Sequence, residues 1–329
     1  MDDADVAQLD PQARAFIEEV EAAGVPPLQT MSPAEIRMLQ AAFVPRLSGQ
    51  LEAVERVEDR EISGPGGTIA LRTYVPHAPQ GILLWVHGGG WTIGSIETAD
   101  AACRALARRT PCSVVSVGYR LAPEHKFPAA FEDVRAAARW VAANAEALGA
   151  DATRIAIGGD SSGGALAAAA TLDARDGGGP RFCYQVLVYP VSDNDMTRPS
   201  YREFGAGYLI TIDEIRWYLK NYLRSPEDAE NPLVCPLRAA SLRGLPPALV
   251  VLAGCDPLRD DGEAYAARLR AEGVPVQVLR YDGMIHGFFT MPGVLDRAGV
   301  AYDAVARSLR HGFSRTARED SAFEPGVAV

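Results

Sequence analysis

RIAIGGDSSGGALAAAA, residues 154–170, decides how the rest of the chain is read. Residues 154–157 read as a short apolar strand, and residues 165–170 open an Ala-rich helix. Between them Gly159-Asp160-Ser161-Ser162-Gly163 forms a G-x-S-x-G pentapeptide at a strand-to-helix junction, the place of a nucleophile elbow. A serine on so tight a turn holds a strained backbone, and its neighbours two residues away crowd the turn, so positions 159, 163 and 164 need residues without a Cβ. The helix beyond it aims free N–H groups and a partial positive charge at the site. Taken alone the pentapeptide is weak evidence, because a β–α connection can use glycines only to turn the corner.

Working outward, apolar strands alternate with helices. Strands are expected at 57–62, 67–76, 81–86, 112–119, 154–157, 183–189, 248–253 and 276–281. Helices are expected at 98–110, 128–148, from 165, at 259–271 and at 292–310. Such β-α-β alternation predicts an α/β fold with a mainly parallel sheet covered on both faces. Two segments fall outside this rhythm. Residues 1–50 carry two helix starts, Asp10-Pro11 and the capping box Ser32-Pro33-Ala34-Glu35. Residues 191–246 lack a strand but contain a second capping box, Thr211-Ile212-Asp213-Glu214. Both are expected to cap the carboxyl edge of the strands, where ligands bind in such sheets, with core at 51–190 and 247–312. The polar, Pro- and Gly-punctuated residues 313–329 are expected to be a disordered tail.

Bulk properties narrow the function. A net charge of -10 over 329 residues argues against nucleic acid or an anionic membrane as partner. The N-terminus MDDADVAQLD has neither a basic nor an apolar leader region, and no apolar run reaches membrane-spanning length. Cys103, Cys112, Cys183, Cys235 and Cys255 form no C-x-x-C pair and read as buried small hydrophobes in a reducing, cytoplasmic setting. No metal-ligand spacing or cofactor motif is visible.

A serine nucleophile needs a base, and five histidines are available. His286 comes just after the 276–281 strand and so belongs at the carboxyl edge, whereas His77 lies in a Pro-rich loop between two strands, His87 opens a glycine run, His125 sits in RLAPEHKFPAA and His311 ends a helix. The third member of a Ser…Asp…His order is Asp256, at the end of the 248–253 strand. Asp260 and Asp261 fall in the first turn of the next helix, and Asp282 is a minor rival. His87-Gly88-Gly89-Gly90 ends the 81–86 strand and leaves N–H groups free for a developing oxyanion, joined by the N–H of Ser162. The competing reading, a phosphate-cradling loop, lacks a G-x-x-x-x-G-K-[ST] or G-x-G-x-x-G pattern. Trp91, Tyr189, Tyr208 and Leu209 are candidates to line the pocket, or equally ordinary core residues.

With HGGGW at 87–91, YRLAPEHKFPAA at 119–130, GDSSGG at 159–164, DPLRD at 256–260 and HGF at 286–288, the chain resembles the bacterial hormone-sensitive-lipase-like (family IV) carboxylesterases, in the branch with a GDSAG-type elbow. The resemblance runs from about residue 50 to 312. It implies an α/β-hydrolase fold, with a mostly parallel eight-stranded sheet and a helical cap built from the N-terminus and a mid-chain insertion. It also implies short- to medium-chain acyl esters as substrates and no cofactor, and it leaves a homodimer open. It assigns Ser161, His286 and Asp256 as the triad, and Gly88, Gly89, Gly90 and Ser162 to the oxyanion hole. Ser162 stands where the family usually has alanine. The same machinery could act on a lactone, carbamate, aryl amide or formamide, because the pocket and not the triad selects the substrate. A small-molecule receptor on this fold is a further alternative, disfavoured by the complete triad.

Overall fold

A computed structural model describes residues 9–315. Eight strands form one sheet in the order β1-β2-β4-β3-β5-β6-β7-β8. They are β1 (Arg56–Gly64), β2 (Gly67–Val75), β3 (Gly81–Val86), β4 (Cys112–Gly118), β5 (Ile155–Asp160), β6 (Tyr184–Val188), β7 (Ala248–Cys255) and β8 (Val276–Ile285). β1 pairs antiparallel with β2, and β2 antiparallel with β4; every other pair is parallel. β3, β5, β6 and β7 are buried along their whole length, as strands covered on both faces must be. The run of four charged residues Glu58-Asp59-Arg60-Glu61 in β1 reflects its place at the sheet edge.

Helices cover both faces: α1 (Pro11–Ala22), α2 (Pro33–Ser48), α3 (Ile96–Arg109), α4 (Ala129–Ala143), α5 (Ser162–Gly177), α6 (Pro199–Phe204), α7 (Ile212–Tyr222), α8 (Arg259–Ala271) and α9 (Arg297–Arg315). Two large apolar clusters, one on each side of the sheet, make the core. The chain runs from β3 to β4 on one side, then returns to place β5 on the other side of β3. That reversal is a topological switch point, and it opens a crevice at the carboxyl ends of β3 and β5. His87-Gly88-Gly89-Gly90 leaves β3 there, and Ser161 leaves β5 there.

The expected elements are present, with shifted ends. α3 starts at Ile96 because Ser95 and Thr98 form a capping box, two residues before the expected start. α4 stops at Ala143, giving way to turns before Leu148. The expected strand 154–157 extends to Asp160, so α5 begins immediately after Ser161 rather than at 165. β8 continues to Ile285 instead of ending at Tyr281. The 191–246 insertion holds two helices, α6 and α7, where the capping box announced one. The tail expectation for 313–329 falls mainly outside the described residues; Phe313, inside them, is buried at the end of α9. Among the described residues no helix is long and apolar enough to cross a membrane.

Candidate active site

The elbow owes its shape to two close approaches. A Cβ at Gly163 would lie 2.1 Å from the Val86 carbonyl oxygen, and one at Gly159 2.5 Å from the Gly163 oxygen. Any side chain at either position would push β3, β5 and α5 apart. Ser161 itself sits at φ 55, ψ -122, a conformation that L residues rarely adopt. Its N–H is held by the Val188 carbonyl at 2.9 Å, which locks the turn to β6.

β7 and β8 place the other two members. Cys255 pairs with Ile285 in register, so the next residue on each strand, Asp256 and His286, emerges side by side. His286 Nε2 lies 2.9 Å from Ser161 Oγ, and Nδ1 lies 2.8 Å from Asp256 Oδ2. The second carboxylate oxygen of Asp256 accepts the Leu258 N–H at 2.8 Å. Because a carboxylate only accepts, Nδ1 carries the proton and Nε2 presents its lone pair to Ser161. Asp256 is fully buried and His286 and Ser161 nearly so. The Tyr189 ring packs against the imidazole with centroids 4.6 Å apart, limiting its rotation.

The rivals for Asp256 have other work. Asp282 is exposed and pairs with Arg280 at 2.7 Å. Asp260 accepts the Ser200 N–H, and Asp261 is buried against Tyr201 and Arg198.

The glycine loop is held so that its N–H groups point one way. His87 Nδ1 lies 2.8 Å from the Gly88 carbonyl oxygen, so it is protonated and donates. Burial pushes this imidazole down to about 4, which keeps it neutral, and Tyr119 stacks on it at 4.2 Å. Thr92 and Ile93 N–H groups both donate to the Gly89 carbonyl, at 3.0 and 2.9 Å. In a trans peptide C=O and N–H point in opposite directions. Fixing the Gly88 and Gly89 carbonyls therefore fixes the N–H groups of Gly89 and Gly90. Among the described residues these two N–H groups and that of Ser162 have no acceptor.

Gly88 departs from the expected donor set. Its N–H donates to Asp160 Oδ1 at 3.1 Å, and a Cβ there would lie 2.4 Å from Asp160 Oδ2, so it anchors the loop to the elbow. Ser162 Oγ accepts the Trp91 N–H at 3.2 Å, which gives the second hydroxyl of GDSSGG a structural task.

Sequence reading misses Asp160, although a carboxylate ending an otherwise apolar buried strand is a usable signal. Burial raises its pKa to about 6, partly offset by the Gly88 N–H and His286. A carboxyl whose pKa rises on folding binds more protons native than unfolded, so its contribution to stability falls as pH climbs from about 4 to 6. Asp160→Asn keeps an acceptor for Gly88 and removes that penalty. Relative to the parent, the variant should be more stable at pH 8 than at pH 4, by about 2–3 kcal/mol in denaturant titrations. An equal difference at both pH values would show that the carboxyl does not titrate as described.

A cavity of about 670 Å³ opens over these groups. Its wall combines Ser161, His286 and Gly88–Gly90 with Val25–Leu28 from the N-terminal segment and Leu209, Ile215, Tyr218 and Leu219 from the insertion. Of the four residues that the sequence leaves open between pocket and core, Trp91, Tyr189 and Leu209 line it. Tyr208 does not: its ring is buried edge-on against Phe204, with centroids 5.0 Å apart, while Leu209 at φ 73 turns the next side chain to the cavity.

A family profile described as alpha/beta hydrolase fold matches residues 83–290. The chain belongs to the alpha/beta hydrolase family. Among curated alpha/beta hydrolases and esterases, it is 42% identical over 266 residues to "Esterase LipI" of Mycobacterium tuberculosis, covering 78% of this chain and 82% of that protein. It is 36% identical to the ethyl acetate hydrolase of Pseudomonas putida, over 92% of this chain and 98% of that one. Among solved structures, the hyperthermophilic esterase of Pyrobaculum calidifontis superposes with a TM-score of 0.87 at 40% identity, over 92% of this hydrolase and 98% of that chain.

Proposed function

We propose that this alpha/beta hydrolase is a serine carboxylesterase acting on short- to medium-chain acyl esters. The observation that carries the reading is the hydrogen-bonded chain Asp256–His286–Ser161 opening into a cavity beside unpaired N–H groups. Ser161 Oγ attacks the ester carbonyl carbon as its proton passes to His286 Nε2. The carbonyl oxygen becomes an oxyanion and is received by the N–H groups of Gly89, Gly90 and Ser162. Collapse expels the alcohol, which takes the proton from His286 and leaves an acyl-Ser161. Water, deprotonated by the same imidazole, repeats the sequence, releasing the acid and restoring Ser161. Asp256 holds the imidazole tautomer and stabilises its charged form. The N-terminal helices and the 191–246 insertion cap the site and define the acyl space.

Charge at the cavity sets a further boundary. Glu21, Asp213 and Glu214 lie on its wall, and no lysine or arginine is among the described residues lining it. Neutral p-nitrophenyl acetate, butyrate and hexanoate should be hydrolysed. A p-nitrophenyl hemisuccinate, carrying a free carboxylate on the acyl side, should lose about tenfold or more in kcat/KM, chiefly in KM. The gap should narrow with salt. Failure of every neutral ester with folded protein would sink the esterase reading; an equal rate for the hemisuccinate would sink the charge argument alone.

A further inference from the structure

The oxyanion loop is held from below by the elbow, but its outer end is held from above, by the N-terminal helix α2. Arg37 Nε donates to the Thr92 carbonyl at 2.9 Å, and its Nη2 to the Ala122 carbonyl at 2.7 Å. The same guanidinium pairs bidentately with Glu124, both contacts at 2.8 Å. One turn along α2, Gln40 Oε1 accepts the Gly94 N–H at 2.8 Å. These contacts fall on one structural unit. Thr92 and Ile93 donate to the Gly89 carbonyl, and Trp91 accepts the Ala122 N–H at 2.8 Å. The peptide that Arg37 grips at Thr92 is thus adjacent to the turn whose N–H groups orient the Gly89–Gly90 peptide.

Local propensity does not fix this loop by itself. Gly89 and Gly90, at φ 114 and 56, are glycines free to adopt other conformations, and Trp91 at φ 57 holds a positive φ that a residue with a side chain rarely adopts. An exposed Arg–Glu pair contributes little by its charge. Planar donors satisfying carbonyls in two different loops impose direction, which an ammonium cannot reproduce.

We propose that Arg37 is a positioning residue for hydrolysis: through Thr92 and Ala122 it sets the Gly90 N–H toward the oxyanion, so that α2 belongs to the catalytic scaffold as well as to the cover. The proposal rests on the esterase reading above. It predicts a defect confined to the transition state, because a misdirected donor harms the oxyanion more than the neutral substrate.

The test compares wild type, Arg37→Met and Arg37→Lys on p-nitrophenyl butyrate, with affinity for an alkyl trifluoromethyl ketone, whose adduct with a serine carries an oxyanion. For Arg37→Met, kcat should fall about tenfold to a hundredfold with KM within about threefold, and the ketone should weaken in proportion. Arg37→Lys should fall between, since it keeps the charge for Glu124 but cannot span both carbonyls. The shape of the pH–rate profile should not move, as the triad is untouched. Should Arg37→Met not fold, Arg37→Lys carries the test through the same split. Unchanged kcat, or a rise in KM alone, overturns the proposal and leaves the esterase reading standing. A wild type that turns over no ester overturns both.

Discussion

Ser161→Ala should lower kcat by about 10⁶ while leaving the fold and KM nearly unchanged. The size reflects the loss of the reacting atom. Ser161 Oγ must bond to carbon, and no neighbour can replace it. Ser162 is the obvious substitute, one residue away, yet it is fully buried and its Oγ lies toward the Trp91 N–H rather than His286. The hole and the cavity survive, worth about 10³ over water in a comparable site. Stability should stay level, because alanine keeps the Cβ that strains φ 55 and loses only the hydroxyl. Turnover of p-nitrophenyl butyrate measures the effect, and an alkyl fluorophosphonate monitored by intact mass locates it. Wild type should gain one adduct and the variant none. Residual activity within a hundredfold of wild type would mean that another group attacks.

Much of this site is legible in residue order because each catalytic side chain ends a strand. Apolar runs at 81–86 and 248–253 mark buried strands, and the residues just beyond them, His87 and Asp256, must lie at one edge of a parallel sheet. Strand ends are less legible. The strand-like run at 276–281 predicts that β8 stops at Tyr281. The sheet instead absorbs the extra residues in an irregularity, with Ala253 opposite Tyr281 and Cys255 opposite Ile285, and that irregularity brings His286 level with Asp256. Contacts between segments distant in sequence are not legible at all. Nothing in the local pattern of α2 distinguishes Arg37 from a solvated helix arginine; its role exists only because Thr92, Ala122 and Glu124 converge on it. Tyr208 and Leu209 show the same limit in one step, since a single positive φ decides which side chain meets the cavity.

Asp256→Asn should cost about 10⁴ in kcat with little change in KM or in thermal stability. The amide is nearly isosteric with the carboxylate, and its oxygen can still accept the Leu258 N–H that now binds Oδ1 at 2.8 Å. That bond dictates which way the amide faces. Its NH₂ is then left toward His286 Nδ1, a donor where the carboxylate was an acceptor, so Nδ1 must give up its proton to accept. The imidazole takes the other tautomer, with Nε2–H directed at Ser161 Oγ 2.9 Å away. In that state it can donate to the serine but cannot take its proton, and the base is lost without any atom moving far. Asp282→Asn provides the contrast: an exposed carboxylate paired with Arg280 should be replaceable with full activity retained. Steady-state rates for the two variants, with melting curves to establish folding, check both expectations together. Equal losses in both would assign the orienting role to neither residue uniquely. A loss in Asp282→Asn alone would move it from the end of β7 to β8. A loss in Asp256→Asn alone is what the register of Cys255 with Ile285 requires, because that pairing is what sets the carboxylate beside Nδ1 in the first place.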